Sequence, residues 1–181
     1  ADIAAGMPDS GTISAIGYSE ESKTPFELAV VRNRYVGRTF IQPTQKVREL
    51  GVKIKLNPIS DVFKNKKAVI IDDSIVRGTT AQSIISMIRN SGATEVHLRV
   101  SSPPVIFPCK YSVDSRKEKT LAAVKMSLEE LCKKINADSL GYLTEEDLVE
   151  SIGIPKDQLC TACFTGEYLQ EDITNKERDN E

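Results

Sequence analysis

The sequence predicts an α/β fold with a central, mostly parallel sheet flanked by helices and a small helical appendage at the C-terminal end. Three observations predict this class. In the run "KAVII", residues 67–71, every residue after Lys67 is apolar, which is typical of a strand buried on both faces. A helical pattern and the alternating run "EVHLRV" follow it, so strand, helix and strand succeed one another as in a βαβ unit. The chain also begins with a strand–turn–helix pattern, "ADIAAGMPDSGTISAIGYSEES".

The other elements are predicted from apolar spacing and from residues that end helices. The first helix has Ile13 and Ile16 at helical spacing, and the helix in "TTAQSIISMIRN" has its isoleucines on one face and should stop at Gly92. Before it, "PFELAVV" is a second apolar run and "VKIKL" predicts an alternating strand. After residue 103 prolines and polar residues interrupt the pattern, and short helices are predicted around "SLEELCKKI" and "TEEDLVESI". The predicted organisation is an α/β body (residues 1–103), an appendage with a cysteine motif (104–170) and a disordered tail (171–181).

Composition and charge exclude some classes of function. The chain has 181 residues, 40% of them apolar, which suffices for a core without disulfides. No run approaches the roughly 18 apolar residues of a membrane span, and no secretory signal is recognisable, so we expect a cytoplasmic protein that binds no membrane. The formal charge of -2 argues against a general nucleic-acid binder. Residues 30–67, however, contain ten basic and two acidic residues, which favours a small polyanionic ligand, with a solvated basic face as the alternative.

Two adjacent carboxylates, Asp72 and Asp73, directly follow the predicted buried strand. In open α/β sheets ligands bind at the carboxyl ends of strands, and the loop "SIVRGTT" leads into a helix whose first amides can bind a phosphate. The loop lacks the lysine of the pattern GxxxxGK[ST], which disfavours a triphosphate site of that kind. The carboxylates would repel a phosphate unless they bind another group, such as vicinal hydroxyls or magnesium. A sugar phosphate would satisfy both parts of the motif, with its hydroxyls at the carboxylates and its phosphate in the loop. The alternative is a pair of acidic residues that face solvent or cap a loop.

The stretch "VIIDDSIVRGTT" resembles the phosphoribosyl pyrophosphate binding motif of the type I phosphoribosyltransferases. More narrowly, "MPDSGTISAIGY", "RNRYVGRTFIQPTQKVRELGVKIKL", "SSPPVIFPC" and "CTACFTGEY" resemble consecutive segments of the amidophosphoribosyltransferase family. The similarity runs from about residue 2 to residue 168, nearly the whole chain. It implies the type I phosphoribosyltransferase fold and the branch of that family that contains an iron–sulfur cluster.

The resemblance also implies roles for particular residues. Asp72 and Asp73 would bind the ribose hydroxyls or the associated magnesium, and Ser10 falls at a magnesium position, although the sequence alone favours Ser10 as a helix N-cap. The basic loop "RNRYVGRTFIQP" resembles the mobile loop that closes over the substrate; the alternative is an exposed basic hairpin. The residues implied to bind the 5'-phosphate are Ser74, Ile75, Val76, Arg77, Gly78, Thr79 and Thr80. The residues implied to meet the pyrophosphate are Arg32, Arg34 and Arg38.

The four cysteines and the single histidine are further candidates for site residues. The "CTAC" pair, Cys160 and Cys163, has a spacing used by zinc sites, iron–sulfur clusters and redox dithiols alike. The resemblance implies that this pair and Cys109 ligate a 4Fe–4S cluster whose fourth ligand lies upstream of "PDSG", so three cysteines are not expected to hold it well. Cys132 lies on an apolar helical face and is interpreted as a core residue, and His97, in mid-strand, as structural or surface.

We therefore expect the phosphoribosyltransferase half of an amidophosphoribosyltransferase. With magnesium, it would displace pyrophosphate from 5-phosphoribosyl 1-pyrophosphate with ammonia to give phosphoribosylamine, in the first step of de novo purine (IMP) biosynthesis. No residue is expected to act as a nucleophile. The implied partners are purine nucleotides as inhibitors and an N-terminal glutaminase domain, which we expect to be missing here, and a homo-oligomer is expected. The alternatives are a non-catalytic regulatory module that senses phosphoribosyl pyrophosphate or purine nucleotides, and a metal or cluster scaffold.

Overall fold

The structure, a computed structural model, describes residues 1–33, 35, 56–111 and 120–168 of the chain. Its strands are β1 (Ile3–Gly6), β2 (Val30–Arg32), β3 (Leu56–Pro58), β4 (Lys67–Asp72), β5 (Glu95–Val100) and β6 (Ser139–Tyr142). Its α-helices are α1 (Ser10–Ser22), α2 (Ser60–Phe63), α3 (Thr79–Asn90), α4 (Ala122–Lys125), α5 (Leu128–Ile135), α6 (Glu145–Ile152) and α7 (Ala162–Thr165), with a 3-10 turn at Lys156–Gln158.

Four of the strands form one parallel sheet in the order β1, β4, β5, β6, while β2 and β3 form a separate antiparallel pair. The α/β class and the mostly parallel central sheet are thereby confirmed. Because β1 and β4 are parallel neighbours, with Gly6 opposite Ile71, the segments that follow them leave the sheet at the same edge. The motifs "PDSG" and "DDS" therefore lie side by side.

Strand β4 is buried on both faces, as its continuous apolar sequence predicted. Ala68 and Ile70 face the main core, which the helices α3 and α5 cover, and Val69 and Ile71 face a smaller cluster beneath α1. The predicted apolar face of α3 is confirmed as well, since its three isoleucines (Ile84, Ile85 and Ile88) are buried. Each such side chain contributes ~1.5–3 kcal/mol relative to exposure, so this face fixes the helix against the sheet.

Helix α1 packs on the sheet through small residues rather than through its isoleucines. The helix itself is confirmed, but Ile13 and Ile16 are 76% and 43% exposed, whereas Gly11 and Ala15 are buried. The reason is the closeness of the approach: a Cβ added at Gly11 would lie 2.5 Å from the carbonyl oxygen of Ile71. Only a face of small residues can come so near the sheet, and this closeness brings the start of α1 to the end of β4.

We expect Gly11→Ala to lower the free energy of unfolding by about 1–3 kcal/mol, because the added methyl group would overlap the backbone of β4. Gly17→Ala in the same helix is the matched control, since a Cβ there meets no atom within 4 Å. It should stabilise the protein by ~0.5–1 kcal/mol through helix propensity. Urea denaturation of both variants tests this, and a shift in the same direction for both would contradict the close packing described.

The sheet gains its last strand from the region beyond residue 103. Strand β6 pairs in parallel with β5, with Leu98 opposite Leu140, and Leu131 and Ile135 of α5 are buried in the main core. The two helices predicted in this region are confirmed as α5 and α6. The strand between them was not predicted, because "SLGY" is short and contains a glycine. No helix among the described residues is long and apolar enough to cross a membrane.

Several predicted features lie outside the described residues. They include most of the strand expected in "VKIKL", the greater part of the basic loop with Arg34 and Arg38, and the tail at residues 171–181.

Candidate functional site

Ser10 and Asp73 form the contact that joins the two motifs at the sheet edge. The Ser10 hydroxyl donates to Asp73 Oδ2 at 2.8 Å, although the residues are 63 positions apart. The adjacent backbone is held by a hydrogen bond of 2.8 Å from the Met7 amide to the Ile71 carbonyl. The alternative role of Ser10 as a helix N-cap is wrong, because Asp9 occupies that position and no side chain caps the helix there. The Ser10 side chain instead donates to one carboxylate of the acidic pair, which consists of Asp72 and Asp73.

The two carboxylates of the acidic pair have different surroundings. Asp73 is exposed and accepts from Ser10, and also from the Ser74 hydroxyl at 3.4 Å. Asp72 is half-buried, and burial, with a second contribution from the charge of Asp73, raises the pKa of Asp72 to about 7. The amide of Asp73 donates to Asp72 Oδ1 at 3.0 Å, which lowers that pKa in part. The site therefore holds a carboxylate whose ionisation the fold itself opposes.

The donor atoms at this edge fit magnesium. Ser10, Asp72 and Asp73 offer only oxygen atoms, and magnesium in phosphate sites is typically held by one or two carboxylates together with phosphate oxygens of the substrate. A bound cation would also favour ionised Asp72 and so offset the cost of its burial. Two carboxylates and a hydroxyl are thus a suitable set for an ion that arrives with a phosphorylated ligand.

The loop between β4 and α3 has the form of a phosphate-binding turn. Ile75 anchors it in the core, and the carbonyl of Val76 accepts from the Ala122 amide at 2.8 Å. Gly78 has a φ of 77°, a backbone conformation that favours glycine, and a Cβ there would lie in tight contact with Leu131 Cδ1, at 3.2 Å. Thr79 begins α3, and no described side chain caps this N-terminus. Uncapped amides at the start of a helix are suited to binding an anion such as a phosphate.

The first arginine of the basic segment also reaches this edge. Arg32, at the end of β2, forms an ion pair through Nη1 with Asp9 Oδ2. Asp9 precedes Ser10, so one short loop contacts both the basic segment and the acidic pair. The role of Asp9 could not be recognised from the sequence, because its position in "PDSG" suggested only a cap and its partner lies in a distant strand. Arg77 is half-buried within the loop after β4.

The three cysteines predicted as cluster ligands are neighbours in the structure. The amides of Ile106 and Phe107 donate to the carbonyl of Cys163 at 3.1 and 3.0 Å, which joins the two cysteine segments. Burial raises the pKa of the Cys163 thiol, with smaller contributions from Cys109 and Cys160. Within the described ranges, however, no group of three or more His, Cys, Asp or Glu side chains is arranged to hold a metal ion. As placed, the three thiols therefore do not fit a metal site.

The other candidate side chains lie elsewhere. The Cys132 thiol donates to the Ala137 carbonyl at 3.3 Å and packs against the main core. His97 contacts the Ser139 hydroxyl through Nδ1 at 2.9 Å and Glu95 through Nε2 at 3.2 Å. Both arrangements agree with structural roles.

Comparisons with known proteins converge on one family. No protein-family model matches the chain. The amidophosphoribosyltransferase of Synechococcus elongatus is 50% identical over 167 residues, which cover 92% of this chain and 34% of that protein. The amidophosphoribosyltransferase of Bacillus subtilis is 48% identical over 175 residues, covering 94% and 37%. A solved structure of the glutamine phosphoribosylpyrophosphate amidotransferase from B. subtilis, complexed with ADP and GMP, matches with a TM-score of 0.83 and 47% identity, covering 96% of this chain and 39% of that one.

These matches confirm the predicted resemblance and the α/β phosphoribosyltransferase architecture that it implied. The chain spans about a third of the length of the curated relatives it matches. It is therefore a homologue of part of the amidophosphoribosyltransferases.

Proposed function

We propose that this chain binds phosphoribosyl pyrophosphate at the shared edge of β1 and β4 and transfers its phosphoribosyl group to ammonia. The products would be phosphoribosylamine and pyrophosphate, as in the first step of purine biosynthesis. The observation that carries the proposal is the 2.8 Å hydrogen bond between Ser10 and Asp73, which unites the two motifs implied to grip the substrate. The homology to amidophosphoribosyltransferases supports the same reaction.

The sugar-phosphate end would be bound by β4 and the loop after it. Asp72 and Asp73 would accept hydrogen bonds from the vicinal ribose hydroxyls, since ionised carboxylates are acceptors only. The 5'-phosphate would lie in the turn at residues 74–80, where the free amides at the start of α3 and the hydroxyls of Thr79 and Thr80 can donate to its oxygens.

The pyrophosphate end would face Ser10 and the basic segment. Arg32 already lies at this edge through its pair with Asp9, and Arg34 and Arg38 are implied to add to it. Magnesium held by Ser10, Asp72 and Asp73 would neutralise part of the pyrophosphate charge. The arginine side chains would stabilise the charge that develops on the leaving group as the bond to the sugar breaks.

The reaction then requires positioning more than covalent catalysis. The bond between the anomeric carbon and the pyrophosphate oxygen breaks, the nitrogen of ammonia forms the new bond to that carbon, and the nitrogen loses a proton to solvent. The chain's own residues would hold the sugar with its anomeric carbon open to ammonia. His97 is not needed, and its contacts with Ser139 and Glu95 occupy both ring nitrogens.

We also propose four further properties for this protein. They are inhibition by purine nucleotides, an association with a glutaminase domain that supplies ammonia, a homo-oligomeric assembly and a cytoplasmic location. For the cysteine segment, iron and zinc analysis of anaerobically prepared protein decides whether the neighbouring thiols acquire a metal in solution.

The proposal is tested by pyrophosphate release from this chain. We expect release that depends on phosphoribosyl pyrophosphate, magnesium and ammonia together, and that glutamine does not support. Calorimetry on the same protein measures binding separately. Binding without release would favour the regulatory module over the enzyme, and the absence of both would contradict the proposed site.

A further inference from the structure

Two serines that the proposed site does not use form a hydrogen-bonded chain beneath it. Ser101 directly follows β5, and its amide and hydroxyl both donate to the carbonyl oxygen of Asp72, at 3.0 and 3.2 Å. The hydroxyl of Ser14, one turn into α1 from Ser10, donates to Ser101 Oγ at 3.2 Å. These hydrogen bonds join α1, β4 and the end of β5 at the backbone of the acidic pair itself.

The carbonyl that Ser101 binds belongs to the peptide group between Asp72 and Asp73. The amide of that same peptide group donates to Asp72 Oδ1 at 3.0 Å. Its plane is therefore fixed on both sides, by Ser101 at the oxygen and by the Asp72 carboxylate at the nitrogen. Rotation of this plane would displace the Asp73 carboxylate from Ser10.

We infer that Ser101, supported by Ser14, is a positioning residue for the substrate site: it sets the peptide plane that directs the Asp73 carboxylate toward Ser10. The inference rests on the proposed function. Successive hydroxyl bonds polarise one another, so the Ser14 contact strengthens the bond from Ser101 to Asp72. Ser101 acts through the acidic pair, and its effect should be specific to ligands that need that pair.

The test compares two probes in calorimetry on the full chain. Ser101→Ala keeps the amide bond to Asp72 but loses the hydroxyl, and it should raise the Kd for magnesium phosphoribosyl pyrophosphate about five- to tenfold, the effect of one hydrogen bond. The affinity for inorganic phosphate, which the turn at residues 74–80 would bind, should change less than about twofold. Ser101→Thr, which retains a hydroxyl, should restore the Kd to within about twofold of the wild-type value.

Ser91→Ala is the matched control. The Ser91 hydroxyl is also half-buried and donates to a backbone carbonyl, that of Met87 at 3.0 Å, but it lies at the far end of α3. Its loss should cost stability without changing either Kd.

Ser14→Ala should raise the Kd less than Ser101→Ala does. The variant with both substitutions should bind no more weakly than Ser101→Ala alone, because both residues act through the same series of hydrogen bonds.

The outcomes separate this inference from the proposed function. If wild-type protein binds magnesium phosphoribosyl pyrophosphate and Ser101→Ala binds it equally well, the inference is wrong and the proposed function stands. Equal weakening of both probes, or equal weakening by Ser91→Ala, would also overturn it, because a general loss of structure would then explain the result. A wild-type protein that binds no phosphoribosyl pyrophosphate would refute the proposed function first.

Discussion

Replacing Asp72 and Asp73 together by asparagine is expected to weaken the binding of magnesium phosphoribosyl pyrophosphate at least about 100-fold. Each carboxylate would lose charge-assisted hydrogen bonds to the ribose hydroxyls, worth ~1.5–3 kcal/mol apiece. Two such losses correspond to a factor of about 100 or more, since ~1.4 kcal/mol is a tenfold change. The variant also loses both negative charges at the proposed magnesium position. Calorimetry at fixed magnesium and salt concentrations measures the effect.

Asp61→Asn supplies the control for the same change of side chain. Asp61 is exposed in the first turn of α2, which precedes β4 and therefore lies toward the opposite edge of the sheet. Its substitution should leave the Kd unchanged within about twofold. An affinity retained by the double variant would refute the assignment of the acidic pair, even if pyrophosphate release were observed.

The parts of the fold that the sequence predicted are those with strong local patterns. The four residues before Asp72 (68–71) are all apolar, which favours burial on both faces of the sheet, and α3 has a well-defined apolar face. Strand β6 has neither signal, because four residues with one glycine depend on β5 for their conformation. Helix α1 was predicted correctly from the spacing of its isoleucines, but the face that packs on the sheet was not. Gly11 determines that face, because only a residue without a side chain can lie so close to β4.

The residues of the candidate site also differ in whether the sequence alone could identify them. Asp72 and Asp73 could be identified from their position at a strand end, and Ser10 was indicated only by resemblance to a family. Asp9 and Ser101 could not be predicted, since their roles depend on partners in other segments, Arg32 and the carbonyl of Asp72. A backbone carbonyl has no sequence signature, so a residue that positions a peptide plane is visible only in the structure.

Asp72 is also expected to reduce the stability of the unliganded protein. Its pKa is raised from 3.8 to about 7, chiefly by burial, so the folded protein binds a proton there that the unfolded chain has released. The stabilising contribution of the protonated Asp72 to the free energy of unfolding is fully present below about pH 4. It is lost as the pH rises through 7, because the folded protein must then hold the buried carboxylate in its charged form. The proposed site for a cation and a diol thus disfavours the charge of Asp72 in the unliganded protein.

Asp72→Asn should therefore stabilise the free protein at pH 8.5 while impairing its binding of phosphoribosyl pyrophosphate. Asparagine cannot ionise but can still accept from the Asp73 amide, so the gain should be on the order of 2 kcal/mol. Urea denaturation from pH 5 to pH 8.5 without ligand measures it, and the difference between variant and wild type should grow with pH. Magnesium and phosphoribosyl pyrophosphate should reverse the order, because they stabilise only the wild type by mass action. Parallel pH profiles, or a variant less stable than wild type at pH 8.5, would show that the fold tolerates the ionised carboxylate without cost.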